Sequence, residues 1–179
     1  MAFSLTWKEK PQVLHAIGQA AVAIPIMLFL LSPVSWEATA ETVSWLLNWV
    51  GIGNGYANIM FRSPTIFIPV GPGKITGFAI LTECSGLFAT AVFAAITIPT
   101  IGLLRGPFWF KASWLLFGTG VGLFWNIGRL TIVLSIAAYF GMGAFSVAHY
   151  VLAPFIDFLW MLSIWALGIS KLRGLGAQL

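Results

Sequence analysis

The sequence predicts an all-α polytopic membrane protein of about four transmembrane helices, with an extracytoplasmic amphipathic helix and a short β-hairpin segment. Three observations predict it. Only 8% of the 179 residues are charged and 59% are hydrophobic, against roughly 25% charged in ordinary soluble domains, and the mean hydropathy is +0.95. The long apolar runs have lengths near the roughly 20 residues that a helix needs to cross a bilayer. When the chain is threaded through those runs, Lys8, Lys10, Arg105, Lys111, Lys171 and Arg173 collect on one side, the asymmetry expected of cytoplasmic flanks. The spans leave too little chain for a second domain, so 1–179 reads as a single membrane domain.

The first span, 12–31, contains "AAVAIPIMLFLL" and makes about 30 Å of helix. Lys8 and Lys10 precede it and place the N-terminus in the cytoplasm. Ala38-Thr39-Ala40 has the small-x-small pattern of a cleavage site, but the apolar run exceeds a signal-peptide core, so the segment reads as a retained anchor. Residues 32–83 then lie outside. In "SWEATAETVSWLLNWV" (35–50), Val43, Leu46, Leu47 and Val50 recur at three- and four-residue spacing, with Trp36, Trp45 and Trp49 beside Glu37 and Glu41. That is an amphipathic helix at the headgroup level. "GIGNG" (51–55) ends it. Residues 58–80, rich in Ile, Phe and Thr and broken at Ser63-Pro64 and Gly71-Pro72-Gly73, read as short strands joined by turns, a backbone that does not face lipid.

The second span, 84–104, starts at Cys84 and descends to "RGPFWFK" (105–111). From 112 to 140 about 29 residues carry one charge, Arg129, too many for one perpendicular span and too few for two. One tilted or projecting helix is expected, bent near "GTGVG" (118–122). Its glycines indicate close helix packing and not a phosphate loop, since no Lys-Ser/Thr follows and no strand precedes. "GMG" (141–143) turns the chain, and the fourth span, 149–170, returns it to "KLR" (171–173). Both termini are then cytoplasmic in a multi-pass protein of the plasma (inner) membrane. The nine Trp and fifteen Phe serve the lipid face and the interfacial belts.

This threading brings three reactive groups to one level of the outer leaflet. Cys84, the one cysteine of the chain, stands at the top of the second helix; alone, it excludes an internal disulfide and a multi-thiolate metal site. Arg129 lies about 27 Å above Lys111 along the third helix, and His149 lies at or before the first turn of the fourth. A thiolate is the strong nucleophile at neutral pH and is favoured by a helix N-terminus or a nearby cation. Imidazole suits a general acid or base, and the guanidinium fork suits an oxyanion or carboxylate. Glu83 opposes the thiolate unless it points away or pairs with a base. Asn126, on the same helix face as Arg129, orients either Arg129 or a substrate. Asp157 is a first-turn acid, a partner of Arg129 or an orienter of His149.

"TECSGLFAT" (82–90), then "NIGRL" (126–130) on an apolar helix, then His149 after an outer turn, resembles the exosortase/archaeosortase family of membrane transpeptidases over about 75–165. The resemblance implies that Cys84, within a Cys-Ser-Gly motif completed by Ser85 and Gly86, is the nucleophile, His149 the acid/base and Arg129 the electrostatic stabiliser. It further implies partners, namely secreted proteins whose C-terminal sorting signal joins a short motif, a hydrophobic helix and a basic tail, and an acceptor on a lipid or glycan. Two departures stand out: Tyr150 follows His149 where some members have an acid, and the extra spans of larger members are missing. The segment 35–80 is expected to roof the site and hold an extended motif by strand addition.

Other classes remain open from the residues alone: a non-catalytic small membrane subunit, or an assembly or transport component with a polar cluster at the outer face. No cofactor is expected. The two histidines, His15 and His149, fall at opposite sides of the bilayer, which argues against a haem held by both, and Cys84, His149, Glu83 and Asp157 lack any metal-site spacing. The net charge of +4 is scattered over several loops, so no nucleic-acid stripe forms.

Overall fold

The computed structural model describes residues 10–53, 55–57, 63–71 and 73–176; the expected strand residues at 58–62, and Lys8, lie outside the described residues. In chain order come α1 (Lys10–Leu30), α2 (Pro33–Trp49), β1 (Gly55–Ala57), β2 (Thr65–Pro69), β3 (Ile75–Ala79), a 3₁₀ turn (Thr82–Ser85), α3 (Leu87–Ile101), α4 (Phe108–Val147), a π-helical segment (Ala148–Leu152) and α5 (Ala153–Gly176).

Helix α1 is apolar over most of its surface, and Leu14, Ile17, Ile24, Leu28 and Phe29 remain exposed, as a lipid-facing surface requires and a water-facing one resists. The chain then turns at Ser32, whose side chain accepts from the Ser35 N–H at 3.4 Å while Pro33 takes the first helical position; both are N-terminal signals. Helix α2 therefore starts ahead of the expected position 35. It buries Thr39, Ala40, Val43 and Leu47 along one stripe and leaves Trp45 and Trp49 exposed. The stripe packs with Ile66 and Ile68 of β2 and with Leu130 and Leu134 of α4 into one core cluster.

The strands form a three-stranded antiparallel sheet in the order β1-β2-β3, where a single hairpin was expected. The added strand, Gly55–Ala57, pairs Tyr56 with Ile66; it lies inside a glycine-rich run that carries no alternating pattern.

Gln12–Leu30 and Phe108–Gly174 are long and apolar enough to cross a membrane, and α3 is a shorter apolar helix. The second stretch is not one rod. Gly141 takes φ 81, ψ 179 inside α4, a conformation open to glycine, and there the chain folds back on itself. Trp125 meets Asp157 and Gly122 meets Trp160, residues placed symmetrically about 141. Helical backbone resumes at 142, so the expected three-residue turn is one residue, and the returning leg begins before position 149. No break occurs at 118–122. Instead a Cβ on Gly118 would stand 2.2 Å from the Phe93 ring and one on Gly122 2.9 Å from that of Trp160, so α3, α4 and α5 approach closely where glycine permits it.

Lys111, expected as a solvated flank, is fully buried. Its ammonium donates to the carbonyl oxygens of Gly102 at 2.8 Å and Leu104 at 2.5 Å and lies 3.3 Å from His15 Nδ1. The end of α3 leaves these carbonyls without intrahelical donors, and Lys111 satisfies them. Gln19 Nε2 adds a bond to the Lys111 carbonyl at 2.9 Å, tying α1 to the same end of the bundle.

Gly118→Ala is expected to lower stability by about 1–3 kcal/mol through overpacking against Phe93. Gly120→Ala, with nothing within 4 Å, is expected to gain up to about 1 kcal/mol of helix propensity. Thermal unfolding of the two variants in detergent compares them.

Candidate active site

Cys84 is half-buried in the 3₁₀ turn and donates its N–H to Leu81 O at 2.8 Å. It does not begin the following helix, as the sequence suggested. Gly86, at φ 81, separates turn from helix, and α3 starts at Leu87. Glycine is required there for two reasons: the left-handed φ disfavours a side chain, and a Cβ would lie 3.3 Å from Asn126.

Asn126 is buried on α4 and its Nδ2 donates to the Cys84 carbonyl oxygen at 2.6 Å. Its Oδ1 accepts from Arg129 Nη2 at 2.9 Å. Arg129 Nη1 in turn donates to Asp157 Oδ2 at 2.7 Å, and Trp125 Nε1 donates to Asp157 Oδ1 at 2.8 Å. One hydrogen-bonded chain thus runs from Trp125 through Asp157, Arg129 and Asn126 to the backbone of Cys84. Among the three roles open to Asp157, the structure makes it the partner of Arg129; both side chains are only 14% exposed. Asn126 holds both Arg129 and the cysteine turn. Trp125 was missed; the signal available was its position four residues before Arg129, on the same helical face.

His149 lies in the π-helical segment, beyond the first turn of the leg that starts after Gly141. Such single-turn π segments shift the aim of side chains and recur at functional sites. The imidazole stacks on Phe145, with centroids 5.2 Å apart and planes 8° from parallel, and meets Tyr150 edge-on at 4.8 Å.

Cys84, Gly86, Asn126, Arg129, His149 and Asp157 all line one cavity of about 540 Å³ between α3, α4 and α5. A second cavity of about 270 Å³ lies between β3 and α4, and Cys84 and His149 line that one too. Cys84 and His149 therefore border both cavities, and Arg129 borders the larger alone. The backbone of Glu83 and Ser85 belongs to the 3₁₀ turn; their side chains lie outside the described residues. Among the described residues, no three His, Cys, Asp or Glu side chains gather into a set able to hold a metal ion. The arrangement places a thiol, an imidazole and a fixed positive charge around one half-open cavity, groups of the kinds that acyl transfer uses.

A family model described as transmembrane exosortase matches residues 2–166. No curated protein and no solved structure matches the chain.

Asp157→Ala is expected to cost about 3–5 kcal/mol, because it strands a buried guanidinium. The double variant Arg129→Met/Asp157→Leu is expected to regain most of that loss. Equilibrium unfolding of the two variants and the parent in detergent measures the difference.

Proposed function

The chain belongs to the transmembrane exosortase family, and on that premise we propose that it is a membrane transpeptidase or endopeptidase that cleaves the C-terminal sorting signal of secreted proteins through Cys84. The observation that carries the reading is that Cys84 and His149, from distant parts of the chain, line the same two cavities, with Arg129 lining the larger one.

In this reading α1, α3 and the two legs that meet at Gly141 cross the bilayer, with the cysteine end extracytoplasmic and Lys111, Lys171 and Arg173 at the cytoplasmic end. Cys84 gives its proton to His149 and its sulfur attacks the scissile carbonyl carbon. The S–C bond forms and the oxygen takes up negative charge, which the Arg129 guanidinium stabilises. The C–N bond then breaks, and His149 returns the proton to the leaving amine. A thioester remains on Cys84. Water, or an amine or hydroxyl on a lipid or glycan, attacks it next; the first outcome is proteolysis and the second is anchoring.

The chemistry fits the surroundings. A thioester in a cavity walled largely by Phe88, Val92, Phe158 and Met161 is shielded from bulk water, which favours a competing nucleophile delivered from the membrane. Arg129 already spends two donors on Asp157 and Asn126; the rest of its five-donor fork is what remains for the oxyanion.

Cys84→Ala is expected to abolish processing while the protein stays folded and inserted. The test compares the surface proteins of cells carrying either form, by mass spectrometry of their C-termini. Precursors that keep a hydrophobic tail only in the Cys84→Ala cells bear out the proposal, whereas processing that persists in them excludes a nucleophilic role.

A further inference from the structure

The sheet ends on an open edge beside the thiol. Strand β3 pairs with β2 on one side only, and no described residue pairs with its other side. The register opposes Thr65 to Ala79, Phe67 to Gly77 and Pro69 to Ile75. The flanking pairs carry the ladder bonds: the Ile80 N–H donates to Pro64 O at 2.8 Å and the Val70 N–H to Lys74 O at 2.7 Å. Antiparallel pairing alternates, so the N–H and C=O groups of Ile75, Gly77 and Ala79 point away from β2, into the open edge.

That edge is the floor of the smaller cavity. Thr76, Gly77, Phe78, Ala79 and Ile80 line it consecutively, as happens when a backbone edge, and not one face of a sheet, borders a space. Leu130, Val133 and Leu134 of α4 form the opposite wall, and Cys84 and His149 close the groove. Unpaired backbone donors and acceptors at regular spacing, in an apolar slot ending at a thiol, complement an extended peptide more closely than a lipid chain or a helix, neither of which offers groups to meet them.

We propose that β3 receives the segment on the amino side of the scissile bond as a fourth strand. Since β3 runs from Ile75 towards Cys84, a peptide that delivers its carbonyl to that thiol runs parallel to it. The larger cavity then lies on the leaving-group side. This inference rests on the catalytic reading of Cys84.

The test uses the full chain in detergent and reads the timed mass increase when Cys84 is alkylated. Its thiolate displaces chloride from a peptidyl chloromethyl ketone, forming an S–C bond. Acetyl-Val-Ala-Val-Ala-chloromethyl ketone is expected to react about tenfold faster than acetyl-Ala-chloromethyl ketone, since main-chain hydrogen bonds supply most of the affinity in edge docking. A single N-methylation at a residue whose N–H faces β3 is expected to cut that gain about fivefold, the worth of one lost bond, while methylation at the next residue leaves it intact. A two-residue alternation supports strand docking. No gain from extension, or losses without alternation, in a protein whose Cys84 still reacts with iodoacetamide, overturns the docking and leaves the nucleophile standing. A Cys84 inert to both reagents overturns the catalytic reading and the docking with it.

Discussion

A guanidinium held inside an apolar bundle needs a carboxylate, and the Arg129–Asp157 pair is the constraint on which the rest of the site depends. Both partners are largely withdrawn from solvent, where an unpaired charge would cost several kcal/mol or more. Arg129 sits on the outgoing leg of the helical hairpin and Asp157 on the returning one, so the pair forms only if the chain reverses close to Gly141. Part of the remaining polar capacity is then met locally: Trp125 covers the second carboxylate oxygen and Asn126 takes one donor of the second guanidinium nitrogen. The Asn126 amide still has a hydrogen to donate, and it goes to the carbonyl of Cys84. The position of the Cys84 backbone is thus a downstream consequence of neutralising one buried charge.

Packing makes that consequence rigid. Two core clusters build the body of the molecule. One joins α2, the sheet and α4 through Val43, Leu47, Ile66, Ile68, Leu130 and Leu134, with Cys84 packed against it. The other joins α1, α3, α4 and α5 through Ala23, Phe93, Ala94, Leu115 and Met161. A residue within a regular helix presents its side chain to one groove. A residue in a 3₁₀ turn between two bodies can border two, as Cys84 does. His149 achieves the same from the opposite wall because the π-helical segment displaces it from the register of α5. Cys84 and His149 stand on irregular backbone, while the Arg129 charge stands on a regular helix braced by glycine contacts.

Much of this was legible in the sequence, because apolar run lengths and the placement of basic residues fix an antiparallel weave, and the weave alone carries Cys84, Arg129 and His149 to one end. What was not legible depended on single residues whose conformation is chosen by distant neighbours. Ser85-Gly86 reads as the start of a helix; only the left-handed φ of Gly86 and the proximity of Asn126 show why a glycine separates turn from helix. "GMG" reads as a loop, whereas one glycine suffices and the next residue is already helical, which moves His149 inward from the helix start. Asp157 had three equally placed roles on one face, and choosing among them needed the distance to Arg129. Lys111 looked like a flank because an isolated lysine beside an apolar run usually is one; its burial follows from carbonyls at the end of α3 that no sequence pattern advertises.

The two ends of the bundle solve the same electrostatic problem differently, and the difference matches the chemistry of the side chains. At the Lys111 end no carboxylate of the described residues is among the ammonium's hydrogen-bond partners; backbone carbonyls and an imidazole nitrogen surround it. A compact point charge with freely rotating donors accepts such an irregular cage. At the Cys84 end a planar fork engages a carboxylate and an amide at fixed angles, a geometry that transmits orientation through Asn126 to the turn. A lysine at 129 could still balance the charge of Asp157, but it could not hold the carboxylate and the amide in one plane. The cysteine turn would then lose the directional link that fixes it, even with the charge balance unchanged. Arginine at this position is therefore demanded by shape as much as by charge, and the lysine knot at the far end is free to serve only as a fastening for α1, α3 and α4.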